Sequence, residues 1–230
     1  MTISKNVCLI PAKAASTRLK KKNILKINGK ELVGYTIEAA KTSDVFADNI
    51  FVSTESGEIR DIALKYHAKV HIRPEALAHD PYGIKDVMLD FLDSNSDYKD
   101  FDNIFVLLPT APLIISEDII NSFSIYCKND FKYLMSVSET EHNAQRAIFI
   151  NKNSLEPLFK EQILKKSQEL ETTYHVNGAI LIANIKNFLI TENFYTYPVG
   201  TYIMPRERSI DIDTEFDYQL AKFIMENKLG

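Results

Sequence analysis

Residues 7–23 read Val7-Cys8-Leu9-Ile10-Pro11-Ala12-Lys13-Ala14-Ala15-Ser16-Thr17-Arg18-Leu19-Lys20-Lys21-Lys22-Asn23. The first part is an unbroken apolar run closed by proline, the pattern of a strand buried on both faces. Small residues follow at once. Ala12, Ala14, Ala15 and Ser16 let a backbone pass close to a ligand, so that its N–H groups can point at phosphate oxygens. Lys13 and Lys22 bracket this loop, and each supplies a point charge suited to a triphosphate. The Walker pattern is absent, because the loop has no glycines and no Gly-Lys-Ser/Thr ending. Residues 1–30 hold eight Lys or Arg and no Asp or Glu, and five of the eight lie between Lys13 and Lys22. Taken alone, such a run also reads as a solvated basic face.

Outward from this stretch, short β-rich runs alternate with helical periodicity. Glu31 to Ser43 predicts a helix with Leu32, Ile37 and Ala40 inward, followed by a strand at Ile50 to Ser53. Ile59, Ile62, Ala63 and Tyr66 mark a second helix, Lys69 to Ile72 a strand, Lys85 to Leu92 a helix, and Ile104 to Leu108 another strand. That alternation predicts an α/β fold with a mainly parallel sheet covered by helices on both faces, and ligands at the rim where the strands end. Phe131 to Thr173 is less regular. Strand-like pieces at Tyr133 to Val137 and Ala147 to Ile150, then a helix-like piece at Leu155 to Lys166, read as an excursion from the main sheet. Strands resume at Ala179 to Ala183 and Gly200 to Met204. A last helix begins at Thr214 or soon after, with Phe216, Leu220, Phe223 and Ile224 inward. Without repeats or a Pro/Gly/Ser linker, residues 1–230 are expected to form one domain.

The composition, 45% hydrophobic and 25% charged, is that of a globular protein. No apolar run approaches the roughly 20 residues of a membrane helix. No secretory leader is apparent, so a cytoplasmic location is expected. A net charge of −4 argues against general affinity for nucleic acid. Cys8 and Cys127 read as two buried free thiols rather than a disulfide or metal site.

Three further segments carry polar chemistry. In Arg208-Ser209-Ile210-Asp211-Ile212-Asp213-Thr214, an extended backbone points the carboxylates of Asp211 and Asp213 the same way, toward one Mg²⁺. The plainer reading has Asp213 or Thr214 capping the last helix; both roles can hold together. Arg73-Pro74-Glu75-Ala76-Leu77-Ala78-His79-Asp80 reads as a strand end and polar loop, and His71 and His79 are too isolated for zinc. Ser167-Gln168-Glu169-Leu170-Glu171 and Tyr174-His175-Val176-Asn177-Gly178-Ala179 contain a turn and a lone histidine.

In order and content these segments resemble the acylneuraminate cytidylyltransferase family. The family's first signature, approximately Pro-Ala-Arg-x-Gly-Ser-Lys with Lys-Asn a few residues on, is similar to Pro11-Ala12-Lys13-Ala14-Ala15-Ser16-Thr17 with Lys22-Asn23. Further landmarks are Val52-Ser53-Thr54, Arg73-Pro74-Glu75-x-Leu77-Ala78-x-Asp80, Pro109-Thr110-Ala111-Pro112-Leu113, Asn177-Gly178-Ala179 and Ser209-Ile210-Asp211-Ile212-Asp213-Thr214. Gln145-Arg146-Ala147 and Ser167 to His175 look like the pseudaminic acid branch; Asn177-Gly178-Ala179-Ile180 looks like the sialic and legionaminic branches. The chain departs from the pattern at Lys13, where the family has Arg, and at Ala14 and Ala15, where glycines are usual, so a differently shaped loop is expected. Leu108 and Ile114 stand where the sialic branch has Gln and Arg, and both changes remove polar groups from the expected sugar side. Ala15-Ser16-Thr17-Arg18-Leu19 also looks like the sister Kdo cytidylyltransferases.

The resemblance implies a Rossmann-like nucleotidyltransferase fold and transfer of CMP from CTP to the anomeric hydroxyl of a nonulosonic acid: pseudaminic first, then legionaminic or N-acetylneuraminic. It implies CTP bound by Lys13, Ala14, Ala15, Ser16, Lys22 and Asn23, with Arg73 and Asp80 near the base. Lys22, Asp211 and Asp213 are the expected catalytic residues, and Asp211 and Asp213 the ligands of Mg²⁺, for which Mn²⁺ would substitute. Gln168, His175 and Asn177 are the expected sugar contacts. A homodimer is implied too, with residues 138–176 packing on the partner. The competing expectations are a nucleotidyltransferase for Kdo or another sugar, a non-catalytic CTP-binding regulator on the same fold, and a glycosyltransferase using its Asp-x-Asp.

Overall fold

The computed structural model describes residues 5–227. The apolar run that opens the chain is strand β1 (Asn6–Pro11), and Val7 through Ile10 are wholly buried. A hairpin of β2 (Lys26–Ile27) and β3 (Lys30–Glu31) follows. Its turn, Asn28-Gly29, has φ of 48° and 78°, the left-handed pair that a two-residue hairpin needs and that Asn-Gly supplies at least cost. Then come α1 (Leu32–Thr42), β4 (Ile50–Thr54), α2 (Gly57–Lys65), β5 (Lys69–Ile72), α3 (Ile84–Ser94), β6 (Asn103–Leu107) and α4 (Ser116–Lys128). The second half holds β7 (Tyr133–Glu139), β8 (Ile148–Asn151), β9 (Ser154–Pro157), β10 (Tyr174–Asn184), α5 (Ile185–Thr191), β11 (Gly200–Ile203) and α6 (Glu215–Asn227).

Seven strands form one sheet in the order β11-β7-β10-β6-β1-β4-β5. The pairs β6–β1, β1–β4, β4–β5 and β7–β11 are parallel; β10 alone runs against both its neighbours. Both faces are covered, as the alternating strand residues show. Cys8 and Ile10 of β1 pack into one core with α1, α2 and α4, whereas Val7 and Leu9 join α3 and α5 in the other. The first half therefore matches the sequence reading to within a residue or two at each end. Since β4 and β6 flank β1, the chain reverses its direction of travel across the sheet beside β1. Open α/β sheets bind ligands at such a crevice, past the carboxyl ends of the strands.

Four expectations are corrected. Tyr133 to Val137 is no excursion; it is a central-sheet strand between β10 and β11, a placement set by non-local pairing. Leu155 to Lys166 is not helical: Ser154–Pro157 pairs with Ile148–Asn151, and turns follow. The hairpin turn, Lys152-Asn153, has φ of 45° and 69°. On α6, Ala221 and Ile224 face the β2–β3 hairpin, while Phe216, Leu220 and Phe223 point outward, Phe216 at 75% exposure. Cys127 is exposed, on the outer side of α4; only Cys8 is buried.

A buried cluster at the foot of α1 gives a stability test. Glu31, at 4% exposure, accepts a 2.7 Å hydrogen bond from the Tyr66 hydroxyl and lies 3.3–3.4 Å from the ammonium groups of Lys65 and Lys26. Burial alone would raise its pKa; the bond from Tyr66 and the two lysines outweigh it and bring the carboxyl down to about 2. Gly34 makes room for the same tyrosine, because a Cβ there would stand 2.6 Å from Tyr66 Cζ. Gly34→Ala should push the ring off Glu31 and destabilise the protein by about 1–3 kcal/mol at neutral pH. A carboxyl with a depressed folded pKa stabilises fully above its ordinary value and loses that contribution as pH falls toward about 2. Urea titrations should show the gap between variant and wild type narrowing in acid.

Candidate active site

A pocket of about 310 Å³ opens at the crevice beside β1. One wall is the loop after β1, which supplies Lys13, Arg18, Lys22 and Asn23. A second wall comes from Arg73 and from Tyr82, Ile84 and Val87 at the start of α3; Leu108, Pro109 and Thr110, after β6, form the floor. Asp211 and Asp213 close the remaining side. A smaller recess of about 80 Å³ continues along the loop past Ser16, Thr17 and Arg18. One side of the combined cleft is apolar, lined by Leu77, Ile84, Val87 and Leu108, and suits a base; the other gathers Lys13, Arg18 and Lys22 and suits phosphates.

The loop is built by backbone anchoring. Ala12 N–H donates to Ser53 O at 2.9 Å, which joins the loop to the end of β4, and Asn23 Nδ2 donates to Lys13 O at 2.8 Å. Neither Ala14 nor Ala15 takes a positive φ, so alanine is unstrained at both; the left-handed residue of the loop is Lys21, φ 55°. Ser16 Oγ and Asn23 Oδ1 are buried with no partner in the fold. Buried polar groups are nearly always hydrogen-bonded, so these two atoms leave room for outside partners, the hydroxyl able to donate or accept and the amide oxygen only to accept.

Asp211 and Asp213 flank Ile212, which is fully buried. Ile212 N–H donates to Thr110 O at 2.7 Å, and its carbonyl accepts from Lys22 Nζ at 3.1 Å. With the middle residue pinned, both carboxylates turn into the same pocket, as the i, i+2 spacing predicts. The two differ in charge balance. Lys22 Nζ lies 2.7 Å from Asp213 Oδ1, and Arg18 lies 2.7 Å from Asp213 Oδ2. Asp211 has no such cation at hand. It keeps solvent contact at the pocket mouth, yet the concave surroundings desolvate its carboxyl and, with repulsion from Asp213, raise its pKa, against a hydrogen bond from Thr110 and the Lys22 charge. Capping of α6 falls to Thr214, whose hydroxyl accepts from Asp217 N–H at 3.3 Å, while the Asp217 carboxylate takes the N–H groups of Asp213 and Thr214. Asp213 is left free of that duty.

Of the residues expected from sequence, Lys13, Lys22, Asn23, Arg73, Asp211 and Asp213 meet at the main pocket, and Ser16 lines the adjoining recess. Ala14 and Ala15 are loop residues outside both linings. Asp80 is exposed, beyond the pocket wall, before a cis Asp80-Pro81 bond. Gln168 and His175 are exposed near the N-terminal end of β10, away from this cleft, and Asn177 is buried behind it. Ile114 is a core residue, whereas Leu108 does face the cleft. Two participants go unassigned in the sequence reading. Arg18, although inside the basic run, is the one whose guanidinium reaches Asp213. Glu55, directly after Val52-Ser53-Thr54, accepts from Ala14 N–H at 2.6 Å and from both Arg73 Nε and an Arg73 terminal nitrogen. Burial would raise its pKa, but these donors prevail and hold it below the carboxylate norm. Glu55 thereby ties the loop to Arg73 across the mouths of β1 and β5.

With this geometry in view, the comparisons with known proteins decide the family. A family model described as cytidylyltransferase matches residues 7–227. This chain belongs to the cytidylyltransferase family. It is 32% identical over 223 residues to a pseudaminic acid cytidylyltransferase of Campylobacter jejuni, covering 96% of each chain. It is 35% identical over 227 residues to an N-acylneuraminate cytidylyltransferase of Escherichia coli, covering 98% of this chain and 53% of that one. Among solved structures, a CMP:2-keto-3-deoxy-manno-octonic acid synthetase complexed with CTP superposes with a TM-score of 0.73 at 16% identity, across 98% of this chain and 100% of that one. At that identity the likeness speaks for the cytidylyltransferase fold. The Rossmann-like nucleotidyltransferase architecture expected from sequence is the one found.

Proposed function

We propose that this cytidylyltransferase moves CMP from CTP to the anomeric hydroxyl of a nonulosonic acid, with pseudaminic acid the leading acceptor. The observation that carries the reading is the meeting of the cationic loop and the Asp211/Asp213 pair in one cleft at the switch point of the sheet. The triphosphate lies along Lys13 to Lys22, where the Ser16 hydroxyl lacks a partner and can donate to a phosphate oxygen. Asn23 Nδ2 is already engaged on Lys13 O, so its oxygen is left to accept from a hydroxyl or amino group of the nucleoside and not from phosphate. The base lies against Leu77, Ile84 and Val87, with Arg73 at its edge.

Attack of the anomeric hydroxyl on the α-phosphorus forms the new P–O bond as the bond to the β-phosphate breaks and pyrophosphate leaves, the hydroxyl's proton passing to solvent. Lys22 and Arg18, both paired with Asp213, line the cleft and would place their charge on the leaving phosphates. Positioning and charge neutralisation supply most of the rate. The donor set fits Mg²⁺, or Mn²⁺ in its place: two carboxylates on one side of the cleft, with substrate oxygens and water to complete the shell. Bound at Asp211 and Asp213, such an ion would neutralise charge on the phosphates. Incubation with CTP, Mg²⁺ and each of pseudaminic, legionaminic, N-acetylneuraminic acid and Kdo, followed by phosphorus NMR, tests the acceptor. A CMP-sugar is expected with a nonulosonic acid; product with Kdo alone would overturn the assignment.

Residues 138–176 serve, in this reading, to join two copies into a homodimer. The β8–β9 hairpin exposes Ile148, Phe149, Ile150 and Leu155, with Leu158 and Phe159 beside them, and a two-stranded hairpin is marginal without something packed on it. Ile150, 76% exposed, is the most exposed of the hairpin's large apolar side chains. Ile150→Asp should convert a dimer to a monomer in sedimentation velocity runs at micromolar concentration. A wild-type monomer would contradict the assignment. No helix among the described residues is long and apolar enough to cross a membrane. The reaction is assigned to the cytoplasm, where CTP is available.

A further inference from the structure

Asn177 lies in β10 where the strand loses register with β7, between Val176 and Leu181, beside Gly178 at φ 73°. It is 5% exposed, and all its hydrogen-bonding positions are taken within the fold. Ser136 Oγ donates to its Oδ1 at 2.5 Å, and Ala179 N–H donates to the same oxygen at 3.2 Å. Its Nδ2 donates to Ser209 Oγ at 2.9 Å and points at Met204 Sδ, 3.4 Å away. The amide has one orientation only, because Ala179 N–H can only donate, while Ser209 Oγ gives its own hydrogen to Pro205 O at 2.7 Å and must accept. A sugar hydroxyl would have to break a buried bond to reach this side chain.

Ser209 is two residues before Asp211. The loop from Pro205 to Asp213 is fixed at three places. Ile212 is fixed on Thr110 and Lys22. Arg208 makes two bonds to Asp118, a wholly buried carboxylate that also accepts from the Tyr202 hydroxyl. The third anchor, Ser209 on Asn177, references the loop to the irregular point of the central sheet. We propose that Asn177 is a positioning residue that sets the Asp211/Asp213 pair through Ser209, and that it does not touch the sugar. The proposal rests on reading that pair as the cation-holding carboxylates.

A double-mutant cycle tests it. Asn177→Ala, Ser209→Ala and the double variant are compared by Mn²⁺ binding in the presence of CTP, with free Mn²⁺ followed by electron paramagnetic resonance, and by the KM of whichever nonulosonic acid the wild type uses. Each single variant should weaken Mn²⁺ binding about fivefold, the effect on the carboxylate loop of the one Asn177–Ser209 hydrogen bond that both remove. Because both act through one link, the double variant should be within about twofold of the weaker single. The sugar KM should remain within about twofold of wild type, since only the metal-side geometry moves. A sugar KM raised about tenfold in Asn177→Ala with Mn²⁺ binding unchanged would make Asn177 a sugar contact and overturn the proposal. Wild-type behaviour of Ser209→Ala would also overturn it, and this milder variant decides the matter if Asn177→Ala does not fold. If the wild type itself neither binds Mn²⁺ with CTP nor releases pyrophosphate, the underlying reading fails and takes the proposal with it.

Discussion

Replacing Asp211 with asparagine should cut cytidylyl transfer by at least about a thousandfold, with no loss of thermal stability. The substitution keeps shape and removes charge at a carboxylate that faces the cleft beside Asp213 with no cation of its own. Desolvation and the neighbouring Asp213 raise the Asp211 pKa, so ionising it weakens the folded state. The sign follows from linkage. A carboxyl whose folded pKa is raised costs nothing below its ordinary value, and its cost is complete once pH passes the folded one. At neutral pH the neutral amide should therefore melt at the same temperature as wild type or higher. Activity and stability then move in different directions, as is common where a site is built for a ligand rather than for the fold. Turnover above about a tenth of wild type would remove Asp211 from the metal role.

Lys22→Met should have the next largest effect. The lysine is 15% exposed, and its ammonium bridges Asp213 Oδ1 at 2.7 Å and Ile212 O at 3.1 Å, so it both braces the carboxylate loop and stands at the phosphate recess. Methionine preserves the stem and removes the charge. Steady-state kinetics with CTP varied should show kcat/KM down about a hundredfold, and loss of the bond to Ile212 O should lower stability by about 1 kcal/mol. Lys22→Arg should not restore full activity, because a planar fork does not replace a compact ammonium in a narrow recess. A kcat/KM within about threefold of wild type would mean that Lys22 only holds the fold.

What was legible in the sequence was local. A buried strand followed by small and basic residues is a pattern that a phosphate loop shares with a solvated basic face, and the i, i+2 spacing of Asp211 and Asp213 puts both carboxylates on one side of an extended backbone. What was not legible depended on partners far along the chain. Phe216, Leu220, Phe223 and Ile224 do form one helical stripe, but periodicity shows only that a face is apolar, not which side meets the core. β7 could not be placed in the sheet because its neighbours, β10 and β11, lie some 40 and 65 residues further on. In the Lys152-Asn153 turn only Asn153 suits a positive φ, so the sequence carries no strong hairpin signal against the helical spacing of Leu155, Leu158, Phe159 and Ile163. Glu55 and Arg18 acquire meaning only from Ala14, Arg73 and Asp213, which the fold brings to them. Asn177 shows the same limit from the other side: its motif was visible, but its burial was not.

The most direct test of the central claim is pyrophosphate release by the purified protein with Mg²⁺, each of the four nucleoside triphosphates being offered with each nonulosonic acid. The expected result is release with CTP and a nonulosonic acid, matched by an equal amount of CMP-sugar, and none with ATP, GTP or UTP. Absence of release with every nonulosonic acid, in a protein that binds CTP, would contradict it.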